Sequence, residues 1–207
     1  MRVMMVNLMI VLMSAAFFVY TNGIDVMGNG PNLNKHLGAQ DVKTDVLDIM
    51  QKHFDLSLDY LYTGVQYDSQ YGERPGLAKK LRGMSDAQWE AGMAALNKYL
   101  EHGGTTEQAF VSKLHFKGGQ TASLTKASKG QIYMDTLQTL AGDSQTMLDL
   151  YNNVYSRAIL NDGDIAHYLE EKIEKEVEHS HELKGHITTL DAMKGVGAAV
   201  AAFDSNL

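Results

Sequence analysis

The segment EKEVEHSHELKGH, Glu174–His186, concentrates imidazoles and carboxylates. His179, Glu182 and His186 recur at helical steps of three and four, so a helix sets them on one face. There they could hold a surface metal through nitrogen and oxygen ligands. Glu174–Glu178, Glu178–Glu182 and Glu182–His186 are also i, i+4 neighbours, and the run reads more simply as a charged, solvated face. A second stretch, MSDAQWEAGMAALNKYLEHGG (Met84–Gly104), raises a different question. The stripe Leu77, Leu81, Met84, Gln88, Ala91, Ala95 follows helical spacing, and Gln88 and Ala91 lie in its middle. Helix bundles place their chemistry at such inward positions. The helix is either a metal-binding one with its ligands replaced or one that never carried any.

Elements that could position these residues follow from periodicity and punctuation. Residues 24–40 hold three Gly, four Asn or Gln and Pro31, and read as an extended N-terminal arm before the domain at 41–207. Asp41 is a good N-cap for a first helix running to about Gln70, with Val46, Met50, Phe54, Leu58, Leu61 and Val65 on one stripe. A second helix starts near Pro75, a residue that favours the first turn, and stops at Gly103 and Gly104. Residues 103–127, rich in Gly, Ser, Thr and Lys, form a connection long enough to cross a bundle end to end. A third helix from about Lys126 to Leu160 carries Tyr133, Leu137, Leu140, Met147, Tyr151 and Val154 as its apolar face. After the turn Asn161–Asp164, a fourth runs to about Leu190 with Leu169, Ile173, Glu176, Ser180, Leu183, Ile187 and Leu190 on one stripe. The small, nearly uncharged run Gly195–Phe203 reads as a short fifth helix suited to a subunit symmetry contact.

The 207 residues suffice for one such all-α domain, and the net charge of −7 argues against a nucleic-acid binder. With no cysteine, thiol catalysis, cysteine-based zinc sites and covalent cross-links are excluded. At the other end, Arg2 precedes the apolar run Val3–Tyr20, and polar Thr21–Gly23 follow. Residues 1–23 read as a signal peptide cleaved near Gly23, placing the mature chain in the secretory pathway or outside the cell, off the membrane. The competing reading is a membrane anchor.

Two helical hairpins joined by a long crossover, with a short tail helix, resemble ferritin, the type example of this topology. LDYLYTGVQYD (Leu58–Asp68), GLAKKLRGMSDAQWEAGMAALNKYLEHGG (Gly76–Gly104) and LEEKIEKEVEHSHELKGHITTLDAM (Leu169–Met193) are similar to the first, second and fourth ferritin helices. The crossover is longer than in common ferritins. With its leader, the chain resembles the secreted ferritins of insects, from which it departs in lacking cysteine near the N-terminus.

The resemblance implies a 24-subunit iron-storage cage built from heavy-type subunits, which oxidise Fe²⁺ at a two-iron site, and light-type subunits, which assist mineral growth. The active site of that family needs a Glu on the first helix, Glu-x-x-His on the second, Glu on the third and Gln on the fourth. The matching positions here are His53, with Tyr60 nearby, then Gln88 and Ala91, a position near Gly142, and Glu176. Asp143 is the only nearby carboxylate on the third helix, since no Glu occurs between Glu107 and Glu170. One Glu cannot offset the charge of two irons, so the resemblance implies no enzyme activity, no tightly held catalytic iron, and a polar cluster of His53, Gln88 and Glu176 instead. Asp86 and Glu90, one turn apart, match the family's mineral-nucleating acids and would bind iron there. The acids lining its iron-uptake channel are matched by Ala166 and Leu169. The function expected is a light-type shell subunit partnered by itself and by heavy-type chains around a ferric mineral. The rivals are a ferroxidase with an atypical His53–Tyr60–Glu176–Asp143 site and a secreted helical-bundle binding module.

Overall fold

A computed structural model describes residues 42–69, 73–105, 129–193 and 197–207. The leader, the extended arm and most of the crossover lie outside them. The described residues form α1 (Val42–Tyr67), α2 (Pro75–Glu101), α3 (Lys129–Asn161), α4 (Gly163–Ala192) and α5 (Gly197–Ser205). The chain has the ferritin-like four-helix bundle with a short fifth helix. No described helix is long and apolar enough to cross a membrane.

Helices α1 and α2 make one tightly packed hairpin and α3 and α4 the other. Small residues permit the close approach within the first: a Cβ on Gly92 would lie 2.7 Å from the Phe54 ring, which stacks on Trp89. The second is turned by Asp162, whose carboxylate accepts from the Asp164 and Ile165 amides and so caps α4. Gly103 adopts φ +74°, the left-handed conformation that ends α2 cheaply.

The hairpins meet chiefly through α1 and α3, which run antiparallel. Polar pairs fix their register. Asp45, buried, pairs with Arg157 at 2.7 Å, and the Tyr67 hydroxyl lies 2.6 Å from that of Thr136. The α3 stripe Tyr133, Leu137, Leu140, Met147, Tyr151 and Val154 is wholly buried, as the periodicity predicts. On α1 the predicted stripe drifts. Val65 is 52 % exposed, while Ser57, Tyr60, Gly64 and Tyr67 turn inward. Steps dominated by four slip around a helix of 3.6 residues per turn, and over about five turns the drift carries Val65 out.

Helix α5 folds back onto its own chain. Val200 and Asp204 are buried, and Phe203 packs edge-on against Tyr133 and His186. The Asp204 carboxylate accepts from the Gly76 and Leu77 amides at 3.0 and 2.9 Å and from the Tyr133 hydroxyl at 3.1 Å. Arg74, the residue before α2, makes no side-chain cap, so Asp204 caps α2 from the far end of the sequence. Only the outer face, with Ala198, Ala201 and Ala202, is left for the subunit contact expected of the whole helix.

Candidate functional site

The interior of the bundle holds a chain of hydrogen bonds centred on His53, which is 2 % exposed. Its Nδ1 lies 2.5 Å from Gln88 Oε1 and its Nε2 lies 2.7 Å from the Tyr151 hydroxyl. The network assigns the protons: Nδ1–H donates to the Gln88 carbonyl, and Tyr151 O–H donates to Nε2. Both ring nitrogens are therefore used by protein. Burial pulls the His53 pKa down to about 4, the positive charge of Lys172 adding to it against the Gln88 hydrogen bond, so the ring is neutral at pH 7.

Two turns along α1 and two back along α3, the Tyr60 hydroxyl donates to Asp143 over 3.4 Å. Burial, then the negative charges of Asp143 and Glu176, hold the Tyr60 hydroxyl protonated far above the ordinary tyrosine range. Burial likewise raises the carboxyls of Asp143 and Glu176, opposed at Asp143 by Lys52 and at Glu176 by the Ser144 hydroxyl and His179. Both carboxyls act on the Tyr60 hydroxyl.

The polar cluster expected of His53, Gln88 and Glu176 gains a further member: His53 bonds Gln88 and Tyr151, and Glu176 lines the cavity beside them. Tyr151, not Glu176, closes the histidine's second nitrogen. Tyr151 counts as an apolar-face residue by spacing, yet a buried tyrosine needs a partner for its hydroxyl, and that need was the available signal. Gly142 is exposed, so Asp143 and Ser144 are the third-helix residues that face inward.

Ala91 lies on the other side of Gln88, in the wall of a cavity of about 680 Å³ between α2 and α4. The seam between these two helices is pinned at both ends. Lys80 Nζ meets Glu182 at 2.6 Å at one end, and Lys98 Nζ meets Asp164 at 2.7 Å at the other. His102 reinforces the second end, its two nitrogens 2.9 Å from Asp162 and 2.7 Å from Asp164. Between the pins, Gly83, Ala87, Ala91 and Ala94 present too little side chain to fill the seam, and His53 and Tyr151 lie beneath it.

The candidates outside the core fare as follows. His179, Glu182 and His186 do lie along one face, with Glu182 3.7 Å from His179 and 3.2 Å from His186. Lys80 pairs with that carboxylate and lowers its pKa, so the run forms the charged face that its spacing favours, tied to α2 by an ion pair. Among the described residues no three His, Asp or Glu side chains converge as a metal requires. Asp86 and Glu90 are exposed one turn apart on α2, Glu90 at the mouth of the cavity. Ala166 and Leu169 are buried in the core, and the acids beside them, Asp162 and Asp164, are held by His102 and Lys98.

No family model matches the chain. The ferritin light chain of Drosophila melanogaster is 25 % identical over 182 residues, covering 82 % of this chain and 77 % of that protein. Over most of its length the chain is thus similar to a ferritin subunit. The crystal structure of the secreted ferritin of Trichoplusia ni superposes with a TM-score of 0.70 at 18 % identity, covering 88 % of this chain and 97 % of that one. The fold is thus that of a secreted insect ferritin, and the cluster on His53 and Gln88 occupies the interior of a ferritin bundle.

Proposed function

We propose that the chain is a light-type ferritin subunit of the secretory pathway, which builds a cage with itself and with heavy-type chains and supports storage of ferric iron. The likeness to the Drosophila ferritin light chain and to the secreted Trichoplusia ferritin supports a storage subunit. One observation carries the light-type reading: His53 spends both nitrogens on Gln88 and Tyr151. A two-iron centre needs ligands with free lone pairs and several negative charges to offset four positive ones. Here the imidazole has no lone pair to offer, Ala91 has no ligating atom, and the ammonium of Lys172 is close enough to act on His53. Fe²⁺ oxidation is then the work of the heavy-type partner, and Asp86 and Glu90 on the exposed face of α2 offer carboxylates on which ferric mineral starts.

The test is co-expression with a heavy-type ferritin chain, followed by sizing with iron read on the same peak. Co-elution at cage size with iron supports the proposal. A monomer that excludes the partner refutes it.

A further inference from the structure

The cavity between α2 and α4 has a size and lining that storage of iron does not call for. Its volume, about 680 Å³, lies within the range of small-molecule sites. One wall is apolar and narrow, made by Ala87, Ala91 and Ala94 along α2, with Met84 beside them. The opposite wall is α4, which brings Lys172 and Lys175 to the same space. Lys80, at the far end, is already paired with Glu182. Lys172 and Lys175 make no ion pair among the described residues; the Tyr168 ring lies 5.3 Å from the Lys172 ammonium, and the Glu171 carboxylate acts on it without pairing. Lys172 is half-buried and Lys175 exposed; burial, then the charge of Lys175, lowers the Lys172 pKa against the opposing charge of Glu171. The carboxyls that share the lining are differently placed. Glu176 is held toward its neutral form by burial, Glu182 is paired, and Glu90 is exposed on the α2 rim.

We propose that this trough binds an amphiphilic monocarboxylate, its apolar body lying along Ala87, Ala91 and Ala94 and its carboxylate at Lys172 and Lys175. The ligand gains by covering apolar surface that α2 and α4 leave unfilled, and its carboxylate meets two lysines that make no ion pair within the described residues. A cationic amphiphile would gain the same burial and meet repulsion, so head-group charge separates this site from a merely greasy cleft.

The experiment is calorimetric titration of the purified full chain with decanoate, decanol and decylammonium. Expected is saturable uptake of one decanoate per chain, with decanol and decylammonium weaker by roughly tenfold or more, the loss that goes with removing a charge-assisted contact. Lys172→Gln should weaken decanoate about tenfold without weakening decanol, and Ala91→Leu, which fills the trough, should abolish the binding of both. Should Ala91→Leu fold poorly by circular dichroism, Ala87→Leu blocks the same space one turn earlier. Equal affinity for decylammonium, absence of a saturable site, or full binding by a folded trough-filling variant would overturn the proposal.

Discussion

Acid should weaken this protein through one residue. The folded state holds the His53 pKa near 4, against 6.5 for an unperturbed histidine. The neutral ring is thus the form that folding favours. Above pH 6.5 neither state protonates it, and its contribution is fully present. As pH falls from 6.5 toward 4 the unfolded chain binds a proton that the folded chain refuses, and stability drains away. At pH 5 the loss is RT ln[(1 + 10^1.5)/(1 + 10^−1)], with the folded factor close to unity, or roughly 2 kcal/mol. For a chain of this size that corresponds to a fall of about 4–8 °C in melting temperature. Asp143 and Glu176 act in the opposite sense, because burial raises their pKa values and so favours the fold at low pH. The His53→Gln variant isolates the histidine, because glutamine cannot charge and the other groups remain. Melting of both proteins at pH 7 and pH 5, at equal chain concentration, gives the difference directly. The wild type should lose about 2 kcal/mol more than the variant over that interval. Parallel losses would refute the argument that a neutral, doubly bonded His53 organises the core.

Further outcomes follow from single contacts. Tyr151→Phe leaves the buried His53 Nε2 without a donor and should cost about 1–3 kcal/mol in chemical denaturation, whereas an exposed tyrosine such as Tyr62 changed to Phe should cost almost nothing. Asp204→Ala removes the acceptor shared by two α2 amides and Tyr133 and should cost about 1–2 kcal/mol, with amide exchange accelerated first at the start of α2. Gly76→Ala should undock α5, since its Cβ would lie 1.7 Å from the Asp204 carbonyl oxygen. Stopped-flow mixing of the chain alone with Fe²⁺ should show no fast, oxygen-dependent oxidation; a burst would refute the light-type reading in favour of an atypical site around His53, Tyr60, Asp143 and Glu176.

Much of the bundle is legible because helical spacing is a geometric consequence of burying one face. Spacing identifies the inward residues of α3 and most of those of α4, and the ends of α2 follow from Pro75 and Gly103, whose backbone preferences are local. What escaped depends on partners remote in sequence. Asp204 reads as a polar residue past the end of an apolar run, and only the fold brings it 128 positions back to Gly76. Tyr151 fits the α3 stripe as a hydrophobe, and its polar end acquires meaning only once His53 lies 98 positions away across the seam. The pairing of His53 with Gln88 was more accessible, since both lie in one hairpin and a buried imidazole and amide satisfy each other.

These contacts also explain how the bundle holds together with one seam left open. The salt bridges that pin α2 to α4 involve exposed carboxylates, and pairs of that kind contribute about 0–1 kcal/mol each. They cannot carry the association of the two hairpins. That task falls to the buried α1–α3 face and to α5, where Asp204 binds α2 and Tyr133 of α3 at once and so ties one hairpin to the other. Filling the α2–α4 seam is therefore not required for folding. Small residues at Gly83, Ala87, Ala91 and Ala94 are tolerable because the load is borne elsewhere, and the space they leave is free to serve a ligand. A substitution there should change binding far more than it changes stability, while one at Asp204 should do the reverse.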